Sequence, residues 1–155
     1  MSSPFATFAL SDADATASLA ARIAPRLAAG DTLLLNGDIG AGKTTFARAL
    51  IRARLRSSQE DVPSPTFTLV QTYDAGSVEI WHCDLYRLTD PQEVLELGLD
   101  DAFAAAICLI EWPDRLGPDA PTQALQCHFV AADDHHRLTL SGGSGWASRL
   151  GDLNG

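Results

Sequence analysis

The chain has 155 residues, of which 46% are hydrophobic and 20% charged, and it carries a formal net charge of −9. That length suits one domain with its own core, and that balance excludes long disorder. So acidic a chain is not expected to grip nucleic acid by itself, since such binding rests on lysine and arginine neutralising phosphates, and without a long apolar run no membrane-spanning helix is expected.

Residues 5–10 alternate as a half-buried strand does. Ser11 is expected to cap a following helix, with Asp14 favourable in its first turn. Leu19, Ile23 and Leu27 give that helix an apolar stripe, which Pro25 should kink or split before Gly30 ends the segment. Residues 32–36 then form an apolar run of strand length, and helical character returns from Phe46 after a glycine-rich turn. Arg48, Arg52, Arg54 and Arg56 crowd this second helix, either as a solvated face or as a docking surface for an acidic partner or an RNA.

Two strands are expected at 67–73 and 78–84, joined by a hairpin turn at 74–77. Asp90, Pro91 and Glu93 make a capping signature for a short helix that closes at Gly98, and 99–106 looks helical as well. Residues 107–111 are continuously apolar up to a final acid, the pattern of a parallel strand buried on both faces. Trp112 and Pro113 end it, Pro118 and Pro121 mark a loop, and two more strands follow at 124–130 and 137–140 with a turn at 133–136. Glycines make 142–145 flexible, and 146–153 reads as a closing helix. Cys83, Cys108 and Cys127 are scattered among apolar neighbours, so buried thiols in a reduced, cytoplasmic chain are expected, and no export signal opens the sequence. The whole predicts one α/β domain over 1–155, with a central, largely parallel sheet, antiparallel strands at its edges and flanking helices.

The turn between the second strand and helix carries the chemistry. Gly37, Asp38, Ile39, Gly40, Ala41, Gly42, Lys43, Thr44 and Thr45 match the phosphate-loop pattern, in the required order of strand, turn and helix. The glycines let backbone N–H groups face phosphate oxygens, and the helix adds the positive end of its dipole. Lys43 would reach the β- and γ-phosphates, and the Thr44 hydroxyl would ligate Mg²⁺. Asp84 and Glu111 each end a strand, at the sheet edge where ligands bind; one would organise the metal and the other position a water. Ser64, Pro65 and Thr66 offer two hydroxyls on a stiffened loop suited to sensing a γ-phosphate. Arg87 could stabilise phosphoryl charge or form a surface ion pair, Trp112 could stack on a base or pack inside, and His135 and His136 read as solvated turn residues rather than metal ligands.

Four segments in order, 37–46, 64–70, 82–88 and 109–113, resemble the TsaE (YjeE) family of bacterial ATPases over about residues 11–112. The resemblance implies a P-loop ATPase using ATP and Mg²⁺ in making threonylcarbamoyladenosine on tRNA, docking on the TsaB and TsaD proteins and meeting tRNA through them. It implies nucleotide-sensing roles for Ser64, Thr66, Asp84 and Arg87. Thr44 and Glu111, with Asp84 nearby, would form the magnesium site. Asp12, Ala13 and Thr16 would contribute to the base pocket, as would an arginine near the final strand, matched here to Arg137. A small-molecule kinase and a nucleotide-dependent binding module remain the competing readings. No Asn-Lys-x-Asp motif for guanine is present, which favours adenine.

Overall fold

The apolar runs at 32–36 and 107–111 lie side by side at the centre of one sheet, covered on both faces. The computed structural model describes residues 4–38, 42–56, 62–63, 69–88, 90 and 92–153. Its strands are β1 (Pro4–Leu10), β2 (Thr32–Gly37), β3 (Val70–Asp74), β4 (Glu79–Asp84), β5 (Ile107–Glu111), β6 (Leu125–Ala131) and β7 (His136–Ser141). Its α-helices are α1 (Ala13–Ile23), α2 (Lys43–Leu55), α3 (Gln92–Glu96), α4 (Leu99–Ala105) and α5 (Ser144–Leu150). The strand order is β1-β7-β6-β2-β5-β4-β3. The inner strands β6, β2, β5 and β4 run parallel, while the pairings of β7 with β6 and with β1 on one side and of β3 with β4 on the other are antiparallel, as expected.

Side-chain alternation sorts the core into two layers. Leu33, Leu35, Ile107 and Leu109 face Leu19, Ile23, Phe46, Leu50 and Leu150, so α1, α2 and α5 cover one side. Leu34, Cys108 and Ile110 face Leu99 and Ala102 of α4 on the other. Burial on both faces is why β5 shows no alternation in its sequence. All three cysteines are free and buried. Burial raises each thiol, that of Cys108 to about 12, so none is a ready nucleophile.

Several boundaries differ from expectation for local reasons. The α1 cap is Asp12 rather than Ser11: its Oδ1 accepts from the Ala15 N–H at 2.8 Å, and a carboxylate there also meets the helix dipole. Pro25 does end α1, at Ile23, and the chain continues as a 3-10 turn over Ala24–Arg26. Of the strand expected at 67–73, residues 67 and 68 lie outside the described residues, Leu69 is left-handed at φ 68°, and β3 begins at Val70. Asp90 and Glu93 form the expected reciprocal cap of α3, at 3.0 Å to the Gln92 N–H and 3.3 Å from the Asp90 N–H. The loop expected after Pro113 forms two short 3-10 turns within Pro113–Asp119, parted by a kink at Gly117 (φ 56°), with Pro113 at the start of the first. The closing helix is α5 followed by a 3-10 turn over Gly151–Leu153. Arg149 holds it, forking onto Asp31 at 2.6 and 3.0 Å.

Gly37 ends β2 at φ 142°, and a Cβ there would lie 2.5 Å from the Phe129 carbonyl oxygen on β6. Gly37→Ala should therefore cost about 2–4 kcal/mol through backbone strain and overpacking, lowering the melting temperature by roughly 5–15 °C. A thermal melt of the variant that superposes on the wild type would contradict this.

Candidate functional site

Parallel strands deliver their carboxyl ends to one edge of the sheet, and β2, β4 and β5 all end there on residues singled out by the sequence. β2 hands over to α2, whose cap is Gly42 at φ 104° and whose first residue is Lys43. A Cβ at Gly42 would lie 3.2 Å from Nδ1 of His136, so a side chain here would crowd that ring. The start of α2 leaves backbone N–H groups without intrahelical acceptors, aimed at the same edge.

Lys43 is 5% exposed. Its ammonium donates to the Gly37 carbonyl at 2.6 Å and lies 3.5 Å from the Trp112 ring centroid. Burial pulls its pKa down, opposed by the charges of Glu111, Asp84, Asp38 and Asp114. Next to it, the Thr44 hydroxyl donates to Oε1 of Glu111 at 2.7 Å. The other oxygen of that carboxylate, Oε2, lies 2.7 Å from Nε2 of His82, which is wholly buried. Asp84 stands opposite Glu111 in the parallel register and accepts from the Tyr86 N–H at 3.0 Å. The Tyr86 and Trp112 rings meet at 4.9 Å between centroids.

Two clefts open along this edge. One, of about 420 Å³, is lined by Gly42, Lys43, Thr44, Thr45, Asp84, Tyr86, Arg87, Glu111, Trp112 and His136. The other, of about 360 Å³, is lined by residues 10–13, Thr16 and residues 132–136, and shares Gly42, Thr45 and His136 with the first.

The structure thus brings together Lys43, Thr44, Thr45, Asp84, Arg87, Glu111 and Trp112, and sets Asp12, Ala13 and Thr16 in the adjoining cleft. Gly37 contributes its carbonyl to Lys43, and Asp38 is exposed beside it. Arg137 is exposed on β7 and lines neither cleft; its neighbour His136, read from sequence as a turn residue, occupies the junction instead. Ile39, Gly40, Ala41, Ser64, Pro65 and Thr66 lie outside the described residues. Trp112 neither packs fully inside nor stands free, because Lys43 and Tyr86 flank its ring. Of the α2 arginines, Arg54 donates to the Ala24 and Leu27 carbonyls and Arg48 to that of Val62, so both tie down backbone.

Sequence reasoning gave no role to His82 and Tyr86, although both lie in the 82–88 segment, and set His136 aside as a turn residue. His82 had a signal: two residues before Asp84 on a strand, its side chain must share that acid's face. Nothing local points to His136, which reaches the site through the pairing of β7 with β6. Among the described residues no group of three or more His, Cys, Asp or Glu side chains is arranged to hold a metal ion, and no helix is long and apolar enough to cross a membrane.

A sheet with parallel inner strands, a glycine turn into α2 and acids ending the neighbouring strands define a P-loop NTPase-like α/β domain. A family model described as threonylcarbamoyl adenosine biosynthesis protein TsaE matches residues 10–139, and the chain belongs to that family, which takes part in making threonylcarbamoyladenosine in tRNA. The match runs beyond the motifs, through β6 and into β7. The tRNA threonylcarbamoyladenosine biosynthesis protein TsaE of Rickettsia bellii is 39% identical over 129 residues, 83% of this chain and 89% of that one. Its counterpart in Haemophilus influenzae is 48% identical over 107 residues, 68% of this chain and 66% of that one. The crystal structure of Bacillus subtilis YdiB superposes with a TM-score of 0.80 at 28% identity, covering 99% of this chain and 95% of that one.

Proposed function

We propose that this chain binds ATP with Mg²⁺ in the larger cleft, hydrolyses it slowly, and through that cycle acts in the cytoplasm on the TsaB–TsaD pair that modifies tRNA. The observation that carries this reading is the Thr44–Glu111 hydrogen bond of 2.7 Å beside the Lys43 ammonium, at the start of α2. A hydroxyl and a carboxylate, with Asp84 adjacent, are hard oxygen donors of the kind Mg²⁺ prefers. Four carboxylates act on the Lys43 ammonium there, and negative charge of that kind favours a divalent cation. Mg²⁺ keeps several waters and takes further ligands from phosphates, so it needs no preformed protein cage.

In this reading Lys43 turns from the Gly37 carbonyl to the phosphate oxygens, and the first N–H groups of α2 face the same oxygens. Thr44 and Glu111 hold the metal, which when bound neutralises charge on the phosphates. Asp84, at the end of β4, orients the attacking water. Asp12, Ala13 and Thr16 line the space for the base, and Arg87, on the segment after β4, reports the nucleotide state to the partner.

Turnover measured without an acceptor, then with TsaB and TsaD, tests this. Slow ATP hydrolysis that needs Mg²⁺ and rises several-fold with the two proteins is expected, with ATP displacing GTP in competition. Turnover that requires a phosphorylatable metabolite would make the chain a kinase, and tight binding without turnover in either condition would make it a binding module.

A further inference from the structure

We infer that His82 is a positioning residue for Glu111: it holds one oxygen of the carboxylate so that the other is presented to Thr44 and to a magnesium ion bound beside it. The inference rests on the Mg²⁺–ATP reading of the cleft. It starts from a relay of three side chains on three elements, in which Glu111 of β5 uses Oε2 toward His82 of β4 and Oε1 toward Thr44 of α2, each at 2.7 Å. A carboxylate only accepts, so the ring nitrogen facing it, Nε2, carries the hydrogen.

The burial of the ring says what the contact is for. His82 is 0% exposed and its Nδ1 has no hydrogen-bond partner among the described residues. An unpaired buried nitrogen is destabilising, a cost that Nε1 of Trp81 on the same strand also carries, whereas Ile80 and Cys83 avoid it. Packing alone would be better served by an apolar side chain. What the imidazole adds is one directed hydrogen bond to the carboxylate that meets Thr44.

The strand geometry makes this placement specific. His82 and Asp84 are two residues apart on β4 and share a face, and Asp84 is opposite Glu111 in the register. One strand therefore supplies both the second acid of the site and the group that orients the first. Partners that orient a metal ligand from behind commonly change metal affinity by 10–100-fold when removed. Without the bond, the Glu111 carboxylate is free to rotate and meets the ion in a productive orientation only part of the time.

Two variants separate hydrogen bonding from packing. The amide nitrogen of His82→Gln reaches about as far as Nε2, while that of His82→Asn falls one methylene short. ADP affinity of the full chain is measured by calorimetry in Mg²⁺ and in EDTA. His82→Asn should lower the Mg²⁺-dependent gain in affinity by about 10-fold or more, with affinity in EDTA within about 2-fold of wild type, and His82→Gln should keep most of the gain. A wild-type protein with no Mg²⁺-dependent gain overturns the reading of the cleft and this inference with it. A wild-type gain that His82→Asn keeps in full overturns the role of His82 alone. Equal losses in both variants, or a glutamine variant that does not fold, identify the ring as packing and overturn it too. If only His82→Asn fails to fold, the glutamine variant decides: retention of the gain supports the inference and its loss overturns it.

Discussion

Lys43→Ala is expected to lower ATP turnover by about 100-fold or more, while the melting curve moves little. The ammonium lies among the charges of Glu111, Asp84, Asp38 and Asp114, and it is the cation that offsets them at the start of α2. Truncation removes a donor to the phosphates and leaves carboxylates that repel the polyanion. The fold loses less, because one hydrogen bond to the Gly37 carbonyl is removed and alanine is a good helix former. Because burial lowers the pKa of Lys43 and only the charged form attracts phosphate, nucleotide affinity should also fall with rising pH sooner than an ordinary lysine would dictate. Undiminished hydrolysis in the purified variant would overturn the proposed function.

Glu111→Ala should be nearly as damaging to Mg²⁺-dependent turnover, by about 100-fold, for a different reason. The carboxylate is 2% exposed and joins two other side chains, so its removal frees Thr44 and strands Nε2 of His82. Unpaired buried groups cost about 1–3 kcal/mol, a melting shift of roughly 2–12 °C for a chain of this size. Kinetics and melting measured on one preparation distinguish the two roles. Normal turnover with a collapsed melting curve would show Glu111 to be a structural cap at the end of β5 and nothing more.

The two variants probe features of unequal legibility. Lys43 was readable because its role follows from neighbours in the chain: a strand, a glycine turn and a helix start are local, and their spacing is the signal. Glu111 was readable as an acid ending an apolar strand, though its ties to Thr44 and His82 were not. Those partners lie 67 and 29 residues away. The family resemblance implied a base-pocket role for an arginine near the final strand; Arg137 is exposed on β7, and its neighbour His136 lines both clefts. Adjacent strand residues face opposite sides, so these two neighbours meet different surroundings.

By itself, then, the sequence determined the α/β class, the buried parallel strands and the reciprocal cap of α3. Each of these rests on periodicity or turn chemistry within a few residues. Tertiary structure decided the strand order β1-β7-β6-β2-β5-β4-β3, the relay from His82 through Glu111 to Thr44, and the seating of Lys43 over Trp112. These depend on which strands become neighbours and in what register, which packing of both sheet faces settles and no short stretch of chain encodes.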